Sequence, residues 1–236
     1  MAAAWTDKLQ RLWSKSPPKD LGPAPEWYQF YGRLNDDPPS PQLPLEQINF
    51  IVLDVESTGL NPQKDRLLSI GALQLVHNQI NLKGALELHL DPPNAHEKTE
   101  AIAIHGLVPS TADRNYVEEE DALRQLLAFI GNSVLVGHHL GFDLAILNNA
   151  LLRIGIPKLR NKVIDTFLLA QKLDKPSYHT NPQQYGLDQL ARQFSIPLSD
   201  RHTALGDCYI TAILLMKMLH KLKGRKGRNL RLGDLG

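Results

Sequence analysis

The sequence predicts an α/β fold built on a mixed β-sheet with helices packed on its faces. Runs of strand-like and helix-like sequence alternate from residue 48 to residue 222. The first strands follow one another with only a turn between them, which indicates antiparallel pairing, and the later strands alternate with helices. We therefore expect a sheet with an antiparallel start and helices on both of its faces.

The individual elements follow from apolar periodicity and from the residues that end each run. Residues 48–56 (INFIVLDVE) predict a strand, and residues 66–90 predict two further strands joined by a turn near residues 77–81. Two short strands are predicted at residues 133–139 and 163–165. Helices are predicted where apolar residues recur at helical spacing: residues 118–131, 141–155, 166–173, 185–196 and 202–222.

The first 45 residues differ in composition from the rest of the chain. They contain eight of the sixteen prolines and all three tryptophans. A short amphipathic helix is predicted at residues 5–13 and an aromatic patch at residues 27–31, joined by proline-rich linkers. This arm either packs on its own domain or serves as a docking element for a protein partner or a membrane surface.

Bulk composition narrows the class of protein and its compartment. The chain is 42% hydrophobic and 22% charged, as in ordinary soluble proteins, and no apolar run approaches the ~18 residues that span a bilayer. A single cysteine, Cys208, excludes an internal disulfide and suits a reducing compartment, so a cytoplasmic location is expected.

Charge is distributed unevenly along the chain. Residues 217–236 carry seven lysines and arginines and one acid, whereas residues 1–216 carry 19 basic and 24 acidic side chains. Such a basic tail is compatible with polyanion binding by an otherwise acidic protein that itself needs cations. A solvated, disordered terminus explains the tail equally well.

Two carboxylates interrupt the first predicted strand. Asp54 and Glu56 in “IVLDVESTG” lie two residues apart, so both side chains project from one face while Val55 projects from the other. Like charges so close repel, and burying them costs several kcal/mol unless a positive group lies between them. The pair therefore predicts a cation site.

Three further polar residues interrupt apolar sequence. Asp143 lies in “LVGHHLGFDLAIL”, where a lone aspartate usually caps a helix. His202 precedes Asp207 by five residues at the start of a very apolar helix. Asp207 falls near the inward face of that helix, where an unpaired acid is costly. Together with the strand pair they give four carboxylates and one histidine.

These residues resemble the three motifs of the DEDD-type 3′–5′ exonucleases, histidine subclass (DEDDh), which include the epsilon proofreading subunit of bacterial DNA polymerase III. The similarity covers about residues 48–220 and rests on “DVESTGL”, “IHGL”, “GHHLGFDLAIL” and “HTALGDC”, in that order. It implies a ribonuclease H-like fold. The chain is then divided into an N-terminal arm (1–45), an exonuclease domain (46–222) and a basic tail (223–236).

The resemblance also implies how phosphodiester hydrolysis is carried out. Two divalent cations, Mg²⁺ or Mn²⁺, would be bound by four metal ligands: Asp54, Glu56, Asp143 and Asp207. Asp54 would bridge both ions, Glu56 and Asp207 would hold the ion on the nucleophile side, and Asp143 would act through water. His202 would be the general base that takes a proton from the attacking water.

Contacts with the 3′-terminal nucleotide are expected from six residues, some by resemblance and some by side-chain type. They are Ser57, Thr58 and Gly59 through their backbone, Leu60 through its side chain, His105 of “IHGL”, and Phe142. For His105 a structural hydrogen bond is an open alternative, and for Phe142 core packing is the favoured interpretation. His139 departs from the family, which often has asparagine at this position.

Several functions fit the same residues. The leading expectation is removal of nucleoside 5′-monophosphates from single-stranded or frayed DNA, and an enzyme trimming RNA or oligonucleotides would use the same site. A catalytically inactive nucleic-acid-binding or scaffold module would require a lost ligand, and all five residues are present. The sequence leaves open whether the enzyme acts alone or with a polymerase.

Overall fold

The computed structural model describes residues 23–90, 116–174 and 182–235. The helix predicted at residues 5–13 and the predicted substrate contact His105 lie outside the described residues. Within these ranges the strands form one six-stranded sheet in the order β4–β3–β2–β1–β5–β6. The strands are β1 (Phe50–Ser57), β2 (Leu67–Val76), β3 (Gln79–Leu90), β4 (Tyr116–Val117), β5 (Val134–Gly137) and β6 (Val163–Asp165).

Helices cover both faces of this sheet. The helices of the described residues are α1 (Glu26–Leu34), α2 (Glu119–Ile130), α3 (Gly141–Arg153), α4 (Thr166–Leu173), α5 (Leu187–Gln193) and α6 (Ala204–Lys226). One apolar core lies under α4, α5 and α6, and a second lies under α1, α2 and α3. Strand β1 contributes to both, because Val52 packs in the first core whereas Leu53 and Val55 pack in the second.

The sheet is mixed, as the sequence predicts. Strands β1, β2 and β3 pair antiparallel, and β1, β5 and β6 pair parallel. The β2–β3 hairpin turns through His77 and Asn78, with φ of 50° and 60°, the left-handed pair that a type I′ hairpin turn requires. The two-residue edge strand β4 was not predicted, because two residues are too few to show a period.

Helix α1, formed by the aromatic patch of the arm, packs on the second core. The Tyr31 side chain is 1% exposed, and its hydroxyl donates to Asn161 Oδ1 at 2.6 Å. The same hydroxyl accepts the backbone N–H of Arg160 at 2.7 Å. Residues 26–34 are therefore held by buried hydrogen bonds, although sequence reasoning describes them only as a patch.

The basic tail also packs on the domain. Helix α6 runs past the predicted boundary at residue 222 to Lys226, and Gly227 ends it with a left-handed φ of 62°. Leu230, Leu232 and Leu235 are buried, and the N–H of Leu45 donates to the Leu230 carbonyl at 3.1 Å. A disordered terminus is therefore wrong for residues 223–235, because these leucines bury apolar surface.

No helix in the described ranges is long and apolar enough to cross a membrane.

Candidate active site

The two carboxylates of β1 lie on the sheet face that α6 covers. Asp54 and Glu56 follow Val52 at alternate positions, so all three project towards the same side. Asp54 is half-buried and Glu56 is buried. The pairing of β1 with β2 shifts register between Glu56 and Ser57, and such a bulge re-aims the chain where the strand ends.

Helix α6 brings Asp207 to this face. Its N-cap is Thr203, whose hydroxyl accepts the N–H of Gly206 at 3.1 Å. One turn later, the buried Cys208 thiol donates to the carbonyl of Gly71 at 3.2 Å. Gly71 pairs directly with Asp54 across β1 and β2, so the first turn of α6 lies over the acid pair.

The three carboxylates converge closely enough to share a cation. One oxygen each from Asp54, Glu56 and Asp207 lie within 4.8 Å of one another. Asp207 Oδ1 is buried and has no hydrogen-bond partner among the described residues. A buried carboxylate oxygen left unpaired is costly, and hard carboxylate oxygens suit Mg²⁺ or Mn²⁺. These residues therefore fit a divalent cation.

Asp143 lies beside this group but does not join it. It is buried in the first turn of α3, and its Oδ1 accepts the backbone N–H of Val55 at 3.2 Å. That bond attaches α3 to β1 between Asp54 and Glu56. The usual role of a lone aspartate, capping a helix, does not apply, because the N-cap of α3 is Leu140.

Burial and the charges of neighbouring carboxylates raise the pKa of Asp54 and Asp143. The pKa of Asp54 is raised well above its usual 3.8, first by burial and then by the charges of Asp143, Asp207 and Glu56. Burial also raises the pKa of Asp143, against the Val55 hydrogen bond that lowers it. A cation bound between these carboxylates would favour their ionised forms.

His202 lies in the loop just before α6. Its side chain is exposed and its backbone is left-handed, with φ of 63°. Burial raises the pKa of the Asp207 carboxyl, and among the groups that oppose this rise are Arg201 and then His202, so His202 lies within electrostatic reach of Asp207. The structure thus places His202 near the acid cluster but at its solvent-facing edge.

The loop after β1 carries the predicted contacts Ser57 to Leu60. The carboxylate of Asp65 braces this loop, accepting the Thr58 hydroxyl at 3.0 Å and the Asn61 N–H at 2.6 Å. A Cβ on Gly59 would lie 2.9 Å from both Asp65 oxygens, so a larger residue there would displace the carboxylate that braces the loop. Leu60 is 84% exposed at the tip of this loop.

Phe142 and His139 lie in different surroundings. Phe142 is half-buried and packs against the core under α3, which favours core packing over base stacking. His139 has φ of 61°, and its ring lies over that of Phe167 with centroids 4.1 Å apart.

Sequence reasoning missed an arginine that joins the site. The Arg201 Nη1 donates to Asp207 Oδ2, and its Nε donates to Asp188 Oδ1 of α5 at 2.6 Å. Burial raises the pKa of Asp207 and Arg201 opposes that rise. The sequence does contain a sign of this role: Arg201 directly precedes His202 in “DRHTALGD”, so a basic side chain adjoins the predicted acidic site.

The fold and site together define a class: α/β proteins with a carboxylate cluster where the central strand ends. The exonuclease family model RNase_T matches residues 51–215, and this chain belongs to that exonuclease family. The resemblance to DEDD-type 3′–5′ exonucleases drawn from its motifs is thereby confirmed.

Curated relatives include much longer bacterial polymerases. The PolC-type DNA polymerase III of Halalkalibacterium halodurans is 30% identical over 177 residues, 75% of this chain and 12% of that protein. The PolC-type polymerase of Staphylococcus haemolyticus is 28% identical over 181 residues, 76% of this chain and 12% of that protein. The chain thus spans about an eighth of these relatives.

Solved structures of E. coli Exonuclease I share the fold. The complex with a dT13 oligonucleotide has a TM-score of 0.60 and 18% identity, covering 77% of this chain and 43% of that one. The zinc-bound complex with single-stranded DNA has a TM-score of 0.60 and 19% identity, covering 77% and 42%. The predicted ribonuclease H-like fold is confirmed.

Proposed function

We propose that this chain is a divalent-cation-dependent 3′–5′ exonuclease that removes nucleoside 5′-monophosphates from single-stranded or frayed DNA. The convergence of Asp54, Glu56 and Asp207 within 4.8 Å carries the proposal. Family membership supports hydrolysis of phosphodiester bonds. DNA as substrate is supported by relatives named as DNA polymerases and by structural neighbours bound to oligodeoxynucleotides.

Asp54, Glu56 and Asp207 would hold the cations. When bound, such ions lower the pKa of water and neutralise charge on the phosphate and on the leaving 3′ oxygen. Asp143 contributes from α3 by fixing the β1 backbone through Val55 and by adding negative charge next to Asp54. We keep it in the proposed ligand set as a residue that acts through water.

His202 is the proposed general base. The residue is exposed next to Asp207, where an imidazole can take a proton from the attacking water and release it to solvent. Its left-handed backbone sets the direction in which the loop enters the N-cap of α6.

The loop braced by Asp65 is the proposed seat of the terminal nucleotide. The Gly59 backbone has no side chain to keep a sugar away, and exposed Leu60 offers an apolar surface to a base. Residues Ser57 and Thr58 join this loop to the acid pair. Recognition of a free 3′ end would therefore occur within a few residues of the hydrolytic site.

Labelled strands test this proposal. Purified protein is incubated with Mg²⁺ or Mn²⁺ and matched 5′-labelled single strands of DNA and RNA, with a free or phosphorylated 3′ end. We expect a ladder of DNA products shortened from the free 3′ end, lost in Asp54→Asn and retained in Asp121→Asn, which changes an exposed acid of α2.

Other outcomes would either overturn the proposal or change the substrate assigned to the site. Absence of shortening under all conditions, or undiminished shortening by Asp54→Asn, would overturn the proposal. Faster shortening of RNA than of DNA would move the substrate to the RNA-trimming alternative while keeping the site.

A further inference from the structure

Three charged side chains, Asp188, Arg201 and Asp207, are connected by hydrogen bonds, and Asp207 belongs to the acid cluster. Asp188 of α5 accepts from Arg201 Nε at 2.6 Å, and Arg201 Nη1 donates to Asp207 of α6. The Arg201 side chain is 21% exposed and that of Asp207 is 10% exposed. The guanidinium thus bridges α5 and the first turn of α6.

The two oxygens of Asp207 have different surroundings. Oδ2 is bonded to Arg201, whereas Oδ1 is buried and has no hydrogen-bond partner among the described residues. A carboxylate held by one oxygen cannot rotate freely, so the guanidinium fixes the plane in which the other oxygen lies. Asp207 also offers one oxygen to the cluster with Asp54 and Glu56.

We propose that Arg201 is a positioning residue for cation binding: anchored by Asp188, it holds Asp207 so that Oδ1 is presented to the cavity shared with Asp54 and Glu56. This inference rests on the proposed function, because it concerns the same cation site. The positive charge of Arg201 also offsets part of the repulsion among the carboxylates.

Arginine suits this task and lysine does not. Its planar guanidinium donates from Nε to one aspartate and from Nη1 to another, with a fixed angle between the two bonds. A lysine ammonium is a single point and cannot keep both bonds in the same geometry. Outer groups that orient metal ligands typically change metal affinity 10–100-fold when removed.

Cation binding without nucleic acid tests the inference. Mn²⁺ titration by calorimetry and by electron paramagnetic resonance is performed on wild type, Arg201→Gln, Arg201→Lys and Asp188→Asn. We expect Arg201→Gln to bind Mn²⁺ about 10–100-fold more weakly. We expect Arg201→Lys to recover little, and Asp188→Asn to weaken binding less but in the same direction.

A double variant separates positioning from general damage. Because Asp188 acts through Arg201, Arg201→Gln with Asp188→Asn should bind Mn²⁺ no more weakly than Arg201→Gln alone. Arg124→Gln is the matched control, since it breaks an exposed arginine–aspartate pair of 2.8 Å on α2 and should leave Mn²⁺ affinity unchanged. Thermal unfolding with chelator confirms that each variant is folded. Asp188→Asn, which keeps the guanidinium, carries the test if Arg201→Gln does not fold.

The outcomes are distinguishable. Mn²⁺ binding that is unchanged or tighter in the folded Arg201 variants overturns the positioning role, and tighter binding would mean that the guanidinium competes with the cation. In that case wild-type binding still stands and the proposed function is untouched. If wild type itself binds no Mn²⁺, both the inference and the cation requirement of the proposed function fail.

Discussion

Gly71 of β2 and Ala204 at the start of α6 meet so closely that a Cβ on Gly71 would lie 2.4 Å from the Ala204 carbonyl carbon. The same glycine faces Asp54 across the strand pair and accepts the Cys208 thiol. The distance between Asp207 and the acid pair of β1 is therefore set by a backbone contact that no side chain can enter.

A methyl group at Gly71 should move α6 away from the sheet. We expect Gly71→Ala to lower the free energy of unfolding by about 1–3 kcal/mol, the usual range for overpacking a close contact. We also expect weaker Mn²⁺ binding, because Asp207 moves with the helix. Chemical denaturation and Mn²⁺ calorimetry on the same preparation measure both effects.

Gly224, also in α6, is the control for that substitution. Nothing lies within 4 Å of the position where its Cβ would be. Gly224→Ala should stabilise the protein by about 0.5–1 kcal/mol through helix propensity, with Mn²⁺ affinity unchanged. Equal destabilisation at both glycines would show that the close approach at Gly71 is not the cause.

The raised pKa values of Asp54 and Asp143 predict an unusual pH dependence for the cation-free protein. A carboxyl whose pKa is higher folded than unfolded binds more protons in the folded state between these two values. Its contribution to stability is present at acidic pH and is lost as the pH rises through the raised pKa. With chelator present, we expect the melting temperature to fall as the pH rises from about 4 towards neutrality.

Removing the charge of Asp54 should make the stability of the cation-free protein depend less on pH. At neutral pH with chelator, Asp54→Asn should raise the free energy of unfolding by about 0.5–2 kcal/mol, a range common for stabilising substitutions. The same variant should lose the stabilisation that Mg²⁺ gives the wild type. An Asp54→Asn protein less stable than wild type without cations would contradict the repulsion inferred here.

The buried hydroxyl of Tyr31 should stabilise the folded state and have no effect on cation binding. Tyr31→Phe leaves Asn161 Oδ1 and the Arg160 N–H without their partner, which should cost about 1–3 kcal/mol of unfolding free energy. Phe30→Ala, at a neighbouring ring that is 56% exposed, should cost much less. Denaturant titration compares the two, and Mn²⁺ affinity should stay at the wild-type value in both.

Loss of the proposed general base should separate turnover from cation binding. His202→Ala should lower kcat by about 10²–10⁴-fold, because general base catalysis typically contributes that much. Mn²⁺ affinity should stay close to that of wild type, and His220→Ala, at an exposed position of α6, should leave kcat unchanged. Wild-type turnover in His202→Ala would remove the role assigned to this histidine.

Sequence patterns predict the structural features that depend on residues close together in the chain. The alternation through Val52, Asp54 and Glu56 gave the face of β1, and the apolar period of α6 placed Asp207 inward. The sequence predicts only an aromatic patch where α1 forms, although Tyr28 and Tyr31 have the spacing of one helix face. Its proline-rich flanks masked that signal.

Features that depend on distant residues were not predictable in this way. The bonds of Arg201 to Asp188 and Asp207 join three segments whose relative positions are set by the fold. The close contact at Gly71 likewise appears only when α6 crosses β2. A strand of two residues, β4, carries no period of its own.

Anomalous scattering from a crystal grown with Mn²⁺ and a nucleoside 5′-monophosphate tests the central claim most directly. The convergence of Asp54, Glu56 and Asp207 predicts anomalous peaks among these three carboxylates, absent from matching crystals of Asp54→Asn. Manganese bound elsewhere with these carboxylates empty, or peaks that persist unchanged in Asp54→Asn, would contradict it.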